Sequence, residues 1–329
     1  RIGGMQLFHL EGDDPYDKFL PKISSVISKI ALIYIILTLV LFCLYYINGM
    51  TIFDSIAHSF TTISTGGFST HNNSFAYFNS NSILFIAIIF MILGSLPFLV
   101  LAQTNLKNPL ATIKDHQVRI FLLILFISIF LIFFFANEFI NGSEINKLII
   151  ISFNTISIIS GTGYVSENFE NWGNYASVLF LILMFIGGCA GSTTGGLKVF
   201  RFQILFKFIS LHLKKMFHPH AIIASSFNNK KINESTYDSV TSFFFLYILT
   251  FAISTLLLSF SGLDFLTCFS AAASAISNVG PGLGDIIGPE GNYSTFSTYS
   301  KFILIITMLL GRLEMLTVLI LFMPYFWKN

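Results

Sequence analysis

Three uncharged, glycine-rich runs carry the most distinctive chemistry of this chain: STGGFST at 64–70, SGTGYVS at 160–166 and SNVGPGLG at 277–284. They offer hydroxyls, and glycines that reach backbone angles closed to other residues. With no charged side chain before Asp285, their most abundant ligand is the backbone carbonyl oxygen. Rings of carbonyls that replace a hydration shell are an arrangement that passes a dehydrated cation such as potassium. An ordinary surface turn is the bland alternative for any one run. Three runs at the same place in a repeated pattern argue against it.

The pattern lies in what flanks them. Each run follows a short segment, at 53–63, 144–159 or 264–276, that begins near an acid (Asp54, Glu144, Asp264) and ends at glycine or just before it. An acid suits a helix N-terminus and glycine permits the helix to stop. None of these segments is long enough to cross about 30 Å of hydrocarbon. Each must enter the membrane and return, which irregular backbone tolerates only where protein buries it or water reaches it. Long apolar stretches near 26–47 and 82–102, near 119–137 and from about 175, and near 238–260 and 299–324 enclose the three short segments. The sequence therefore predicts three copies of helix, short helix, loop, helix. The fold class that follows is an all-α polytopic membrane protein, with repeated helix–pore-loop–helix units around a central ion pore. The units span 26–102, 119–217 (with a broken second helix) and 238–329. Cytoplasmic connections occupy 1–25, 103–118 and 218–237.

Composition excludes a soluble globule, because apolar residues make up 54% of the chain and charged residues only 10%. Fifteen of the eighteen Lys and Arg fall in the connections at 1–29, 103–119 and 198–237 and in the C-terminal tail. The alternate connections hold only Lys147 and Lys301, against eight acids. Positive residues stay cytoplasmic, so the glycine runs enter from the outer face. A net charge of +2 gives no reason to expect nucleic acid. Cys43, Cys189 and Cys268 lie in apolar stretches without metal-ligand spacing and read as packing. The chain starts at Arg1 with no signal-like segment before residue 30, and part of a natural N-terminus is expected to precede it.

Two further features break the apolar background. GGCAGSTTGG at 187–196 interrupts a stretch running from Val178 towards Leu213. It is poor helix, and it falls about 12 residues, or about 18 Å, after the outer end. Backbone freed at that depth should project into the pore; close helix packing through small residues is the alternative. It lacks the Gly-Lys-Ser/Thr ending of a phosphate-binding loop. Arg312 is expected in the middle of a helix over 299–324, where a lipid-facing charge is expensive, so it should face the pore or pair with an acid. Glu314, two residues on, is a weak partner for it. His58 and His71 flank the first run and read as packing or solvated side chains with no metal role. Lys214–Lys215 and Lys230–Lys231 read as solvated loops, with contact to anionic lipid or an acidic partner as the alternative.

With RIGGMQLF (1–8), HSFTTISTGGFSTH (58–71), NTISIISGTGYV (154–165), GGCAGSTTGGLKVFR (187–201), SNVGPGLG (277–284) and GRLEMLTVLILFMPYFW (311–327), the chain resembles the Trk/Ktr/HKT superfamily of potassium transporters. It is most similar to the bacterial Trk membrane subunit. The resemblance implies a potassium filter at Thr65, Gly66, Gly67, Ser160, Gly161, Thr162, Asn278, Val279 and Gly280, with Gly66, Gly161 and Gly280 as its glycines. It implies an intramembrane gating loop containing Gly187, Gly188, Gly191, Ser192, Thr193, Thr194, Gly195 and Gly196. Arg312 becomes an electrostatic barrier below the filter. Also implied are a bacterial inner-membrane location, a homodimer, a cytoplasmic nucleotide-binding regulatory subunit, and potassium as cargo with no organic cofactor. The family uses four units, so the unit before RIGGMQLF is expected to be missing. A sodium-permeable or sodium-coupled relative is the alternative within the superfamily. A membrane-embedded enzyme is remote, since Arg312 and Glu314 are the only clear ionisable residues at membrane depth.

Overall fold

The computed structural model describes residues 23–103, 111–218, 226–227, 230–232, 234–313, 315–321 and 323–327. RIGGMQLF at 1–8 and Glu314 lie outside the described residues.

Three long apolar helices carry the architecture: α1 (Ile23–Ile47), α6 (His116–Ala136) and α10 (Glu234–Ser259). Each is long and apolar enough to cross a membrane. The 21 residues of α6 reach about 31 Å at about 1.5 Å per residue. Its outer face is a ladder of Phe126, Phe130 and Phe134, with successive ring centroids 6.4 Å apart. Phe126 and Phe134 are each 70% exposed. Such a face is costly in water but suits hydrocarbon.

After each long helix comes a short one: α2 (Ile52–Ile63), α7 (Glu144–Ile159) and α11 (Phe265–Ser277). All three are N-capped in the same way, by an oxygen that accepts the backbone N–H three residues on. Thr51 accepts from Asp54, Ser143 from Asn146 and Asp264 from Thr267. The glycine runs follow, and the chain then turns back into α3 (Asn81–Ser95), α8 (Asn174–Ile186) and α12 (Thr298–Arg312).

The sequence predicts unbroken helices over 82–102 and 299–324, and the structure corrects both. After α3 the chain is extended at Leu96 before α4 (Phe98–Gln103). Pro97 supplies the reason: it donates no hydrogen bond and pushes the preceding residue out of helical geometry. The helix over 299–324 stops at Arg312 and resumes as α13 (Met315–Leu321). The expected break after α8 runs from Gly187 to Lys198, where α9 (Val199–Phe217) begins. Every unit therefore has a second helix of 13–15 residues ending in a break. A short α5 (Ala111–Lys114) precedes α6. Among the described residues, short 3-10 turns and one antiparallel pairing, of β1 (Ser226–Phe227) with β2 (Lys230–Lys231), complete the regular structure.

The main core joins the first two units. Leu41 and Tyr45 of α1, Met91 of α3, Phe121 of α6, Phe153 of α7 and Phe180 of α8 are all fully buried in it. The third unit packs around the small residues of α11, among them Ala271 and Ala272. Cys189 and Cys268 are buried and Cys43 is exposed.

Candidate functional site

The three glycine runs share one backbone geometry, and it fixes their register. Thr65, Gly161 and Asn278 are left-handed, with φ of 49°, 70° and 57°. Two residues later Gly67, Gly163 and Gly280 also have positive φ, at 67°, 76° and 118°. The hydrogen bonds repeat with them. Thr65 N–H donates to Thr62, Gly161 to Ile158 and Asn278 to Ala275. The next amides, of Gly66, Thr162 and Val279, donate to Thr61, Ser157 and Ser274. Equivalent positions are thus Thr65–Gly161–Asn278, Gly66–Thr162–Val279 and Gly67–Gly163–Gly280. The expected glycine set Gly66, Gly161 and Gly280 is out of register. The set in common is Gly67, Gly163 and Gly280, and Gly163 is absent from the sequence-based candidates.

These loops adjoin in chain order. A methyl group on Gly67 would overlap the Thr162 carbonyl oxygen, and one on Gly163 would overlap that of Val279. Side chains behind the loops brace them, and Tyr164 and Glu170 cross from unit to unit. The Tyr164 hydroxyl lies 2.6 Å from Thr61 Oγ1 and 3.2 Å from Thr62 Oγ1, and the Tyr45 hydroxyl is 3.1 Å from Thr62 Oγ1. Glu170 Oε1 accepts the Gly284 N–H at 2.6 Å, tying the second unit's outer turn to the third run. Tyr293 donates to the Gly280 carbonyl at 2.8 Å.

The histidines buttress the first run. His58 is fully buried, with Nδ1 2.8 Å from the Asp54 carbonyl and Nε2 3.0 Å from Ser69 Oγ. His71 stacks on Tyr77, centroids 3.5 Å apart, and its Nε2 lies 3.3 Å from Asp54 Oδ1. Burial alone would raise the Asp54 carboxyl. Hydrogen bonds from Thr51 (2.7 Å) and Thr70 (2.6 Å), with His71 alongside, outweigh burial and hold it below its ordinary 3.8. The Asp264 carboxyl is likewise lowered, chiefly by its bond to Thr267.

Beneath the runs lies the 187–198 break. Thr193 Oγ1 donates within reach of the Ile63 and Gly94 carbonyls, both at 3.0 Å. Backbone left unpaired where α3 stops takes up the rest: Cys189 N–H donates to Ser95 (3.0 Å), Thr193 N–H to Gly94 (3.2 Å), and Phe98 N–H to Gly191 (3.0 Å). Gln117 Oε1 accepts the Ala190 N–H at 3.0 Å. Gly195 approaches the third run so closely that a methyl group there would strike the Ser277 carbonyl oxygen. One break thus fills the other, and both meet the base of the glycine runs.

Arg312 is the last residue of α12 and is exposed, rather than in mid-helix as expected. Its charge complements the helix C-terminus. Gly311 sets its depth, since a methyl group there would overlap the Ile276 carbonyl at the end of α11. Asn278 Nδ2, in the run itself, donates to the Met308 carbonyl at 3.2 Å. Sequence reasoning missed Gly163, Tyr164, Glu170 and Pro97. Only Pro97 and Gly163 carried a local signal, a helix-breaking residue and a second glycine in SGTGYVS.

Comparison with known proteins adds to this geometry. The chain matches the TrkH family, described as a cation transport protein, over residues 3–328. The Trk system potassium uptake protein TrkI of Halomonas elongata is 38% identical over 331 residues, covering 100% of this chain and 67% of its own length. The corresponding TrkH of Escherichia coli is 35% identical over 337 residues, covering 100% of this chain and 68% of its own. The crystal structure of the potassium transporter TrkH from Vibrio parahaemolyticus superposes with a TM-score of 0.86 at 34% identity. That superposition covers 94% of this chain and 66% of the other, so the chain spans about two thirds of the length of these relatives. With the family match running almost end to end, this chain belongs to the TrkH family of cation transport proteins.

Proposed function

We propose that this chain carries the ion-conducting core of a Trk-type potassium uptake system. The observation that carries this reading is the common register of three adjoining carbonyl-rich runs, each at the C-terminal end of a short helix. Those helix ends add partial negative charge where a cation would rest. The filter residues are Thr65, Gly66 and Gly67, Ser160, Gly161 and Thr162, and Asn278, Val279 and Gly280, to which the register adds Gly163. Gly187, Gly188, Gly191, Ser192, Thr193, Thr194, Gly195 and Gly196 form the gate, and Arg312 is the barrier below the filter. The runs face outward in a bacterial inner membrane, and the whole protein works as a homodimer with a cytoplasmic nucleotide-binding subunit. This is transport, not catalysis.

The test is uptake of potassium and sodium by the full-length protein reconstituted in liposomes. Selective potassium uptake supports the reading, and equal sodium uptake favours the sodium-permeable alternative. Uptake of neither ion, from protein that remains folded, would sink it.

A further inference from the structure

The third run departs from the other two at one carbonyl. Gly67, Gly163 and Gly280 share a register position, and the first two are wedged against the next run, at the carbonyl oxygens of Thr162 and Val279. A methyl group on Gly280 would meet nothing within 4 Å, so close packing does not hold its peptide in place. The next residue is Pro281, which leaves the Gly280–Pro281 peptide without an N–H for the fold behind to grip. Only the carbonyl oxygen remains as a handle.

The amide side differs as well. Gly67 and Gly163 donate their N–H groups to the backbone carbonyls of Thr61 and Ser157, at 3.3 and 3.1 Å. Gly280 donates instead to the side-chain oxygen of Ser274 at 2.9 Å, Ser274 being the equivalent of Thr61 and Ser157 in α11. The Tyr293 hydroxyl, hydrogen-bonded to Ser274, donates to the Gly280 carbonyl at 2.8 Å. Donors and acceptors close a ring: Gly280 N–H to Ser274, Ser274 O–H to Tyr293, and Tyr293 O–H back to Gly280. Among the described residues, neither the Gly67 nor the Gly163 carbonyl receives a donor. The φ of 118° at Gly280, against 67° and 76°, marks the same departure. Tyr293 is itself held. It opens a 3-10 turn (Tyr293–Thr295), and its ring meets that of Phe296 edge-on with centroids 5.3 Å apart. Phe296 is buried in the third unit's core. Burial pushes the Tyr293 hydroxyl up to about 12, so it stays protonated and able to donate.

We propose that Tyr293 is a positioning residue of the filter: from behind the third run it aims the Gly280 carbonyl, and so sets how well that level holds potassium in preference to sodium. A carbonyl that accepts one hydrogen bond keeps a second lone pair. The bond therefore directs the oxygen without using it up. Carbonyl selectivity depends on the size of the site and on the number and strength of the dipoles around it. A carbonyl free to swing changes all three, and lets the site close around the smaller ion. The two other runs need no such clasp, because each is wedged by its neighbour. The proposal rests on reading the three runs as the filter, and deepens that reading at one residue.

The test is potassium and sodium uptake by the full-length protein in liposomes, with Tyr293→Phe, which keeps the ring on Phe296 and removes only the donor. The KM for potassium should rise about fivefold, the factor that one hydrogen bond of about 1 kcal/mol carries. Preference for potassium over sodium should fall by a similar factor, with abundance and maximal uptake rate near wild type. Lower abundance with KM and preference unchanged would make Tyr293 merely structural and overturn the proposal. So would a lower KM, which would mean that the hydroxyl competes with the ion for this carbonyl. Gly280→Ala separates the proposal from the filter reading beneath it. If that variant weakens the preference while Tyr293→Phe leaves it intact, the run is filter and Tyr293 does not aim it. If neither variant moves KM or preference, the filter reading of this run falls as well.

Discussion

The Tyr164 hydroxyl sits 2.6 Å from Thr61 Oγ1, so the second glycine run is fastened to the short helix behind the first. A second contact, to Thr62 at 3.2 Å, makes the tie two-pronged, and Tyr45 reaches Thr62 from α1. Loops rich in glycine have little intrinsic rigidity, so the spacing of their carbonyls depends on such ties. Tyr164→Phe keeps the ring and removes the oxygen. At about 1 kcal/mol per hydrogen bond, it should destabilise the full-length protein by about 1–2 kcal/mol. Its preference for potassium over sodium should fall with it. Unchanged melting temperature and uptake ratio would show that the tie holds nothing.

The register separates the glycines by sensitivity. Gly67→Ala meets both a left-handed φ of 67° and the Thr162 carbonyl, a backbone atom that cannot swing aside. Gly280→Ala has open space around it but a φ of 118°. At Gly66 a methyl group would sit 3.1 Å from the movable Ser64 Oγ, with no positive φ. Loss of selective uptake should therefore rank Gly67 first, then Gly280, then Gly66. If Gly66→Ala proved the most damaging, the alignment of Gly66 with Gly161 and Gly280 would be right after all.

Thr193→Val tests the loop beneath. The change is close in shape but removes the bonds to the Ile63 and Gly94 carbonyls. Deleting 190–195 would remove the obstruction that the proposed gating role assigns to this loop. Potassium flux should rise modestly in the first variant and more in the second, with less dependence on a cytoplasmic partner. A fall in flux from folded protein in both cases would make the loop a packing element.

Arg312→Ala should raise potassium flux at unchanged protein abundance. At an effective dielectric of about 20, like charges about 6 Å apart repel by roughly 3 kcal/mol. That is about a hundredfold in rate if fully expressed, and water around an exposed side chain should cut it to about tenfold. Arg312→Lys keeps the charge and should change flux less. Lower abundance with no gain in flux per molecule would mark the residue as a structural pair.

Acid should loosen the first run. Asp54 ionises below 3.8 in the folded protein, so its contribution to stability is complete above that pH and is lost as pH falls through the folded value. Thermal stability should drop below about pH 4. Asp54→Asn should be less stable at neutral pH and lose part of this acid response. An identical acid profile in the variant would remove Asp54 from the account.

Much of this is legible in the sequence, for a physical reason. The acids at Asp54, Glu144 and Asp264 and the glycines that follow the short helices act locally, so their spacing reveals short helices ending in turns. The 187–196 break is visible because several weak helix formers fall together. Pro97 is equally local, yet one proline in an apolar run does not reveal that its neighbours' unpaired groups will hold a loop about 95 residues away. Tyr164 with Thr61, and Glu170 with Gly284, join residues 103 and 114 apart in the chain, and no pattern in either segment marks its partner. The glycine register escapes the sequence because STGG, SGTG and NVGP align in two ways by letter. Backbone angles allow only one.

The mating of the two helix breaks also bears on how the loop can leave. Gly94, Ser95 and Phe98 give their backbone groups to Thr193, Cys189 and Gly191, and hydrocarbon offers no replacement partners. Withdrawing the loop must therefore admit water to take over each vacated bond. On the proposed gating role, opening is a wetting transition whose equilibrium should follow water activity: impermeant osmolytes that dry the passage should hold it shut, even with every residue of the loop unchanged.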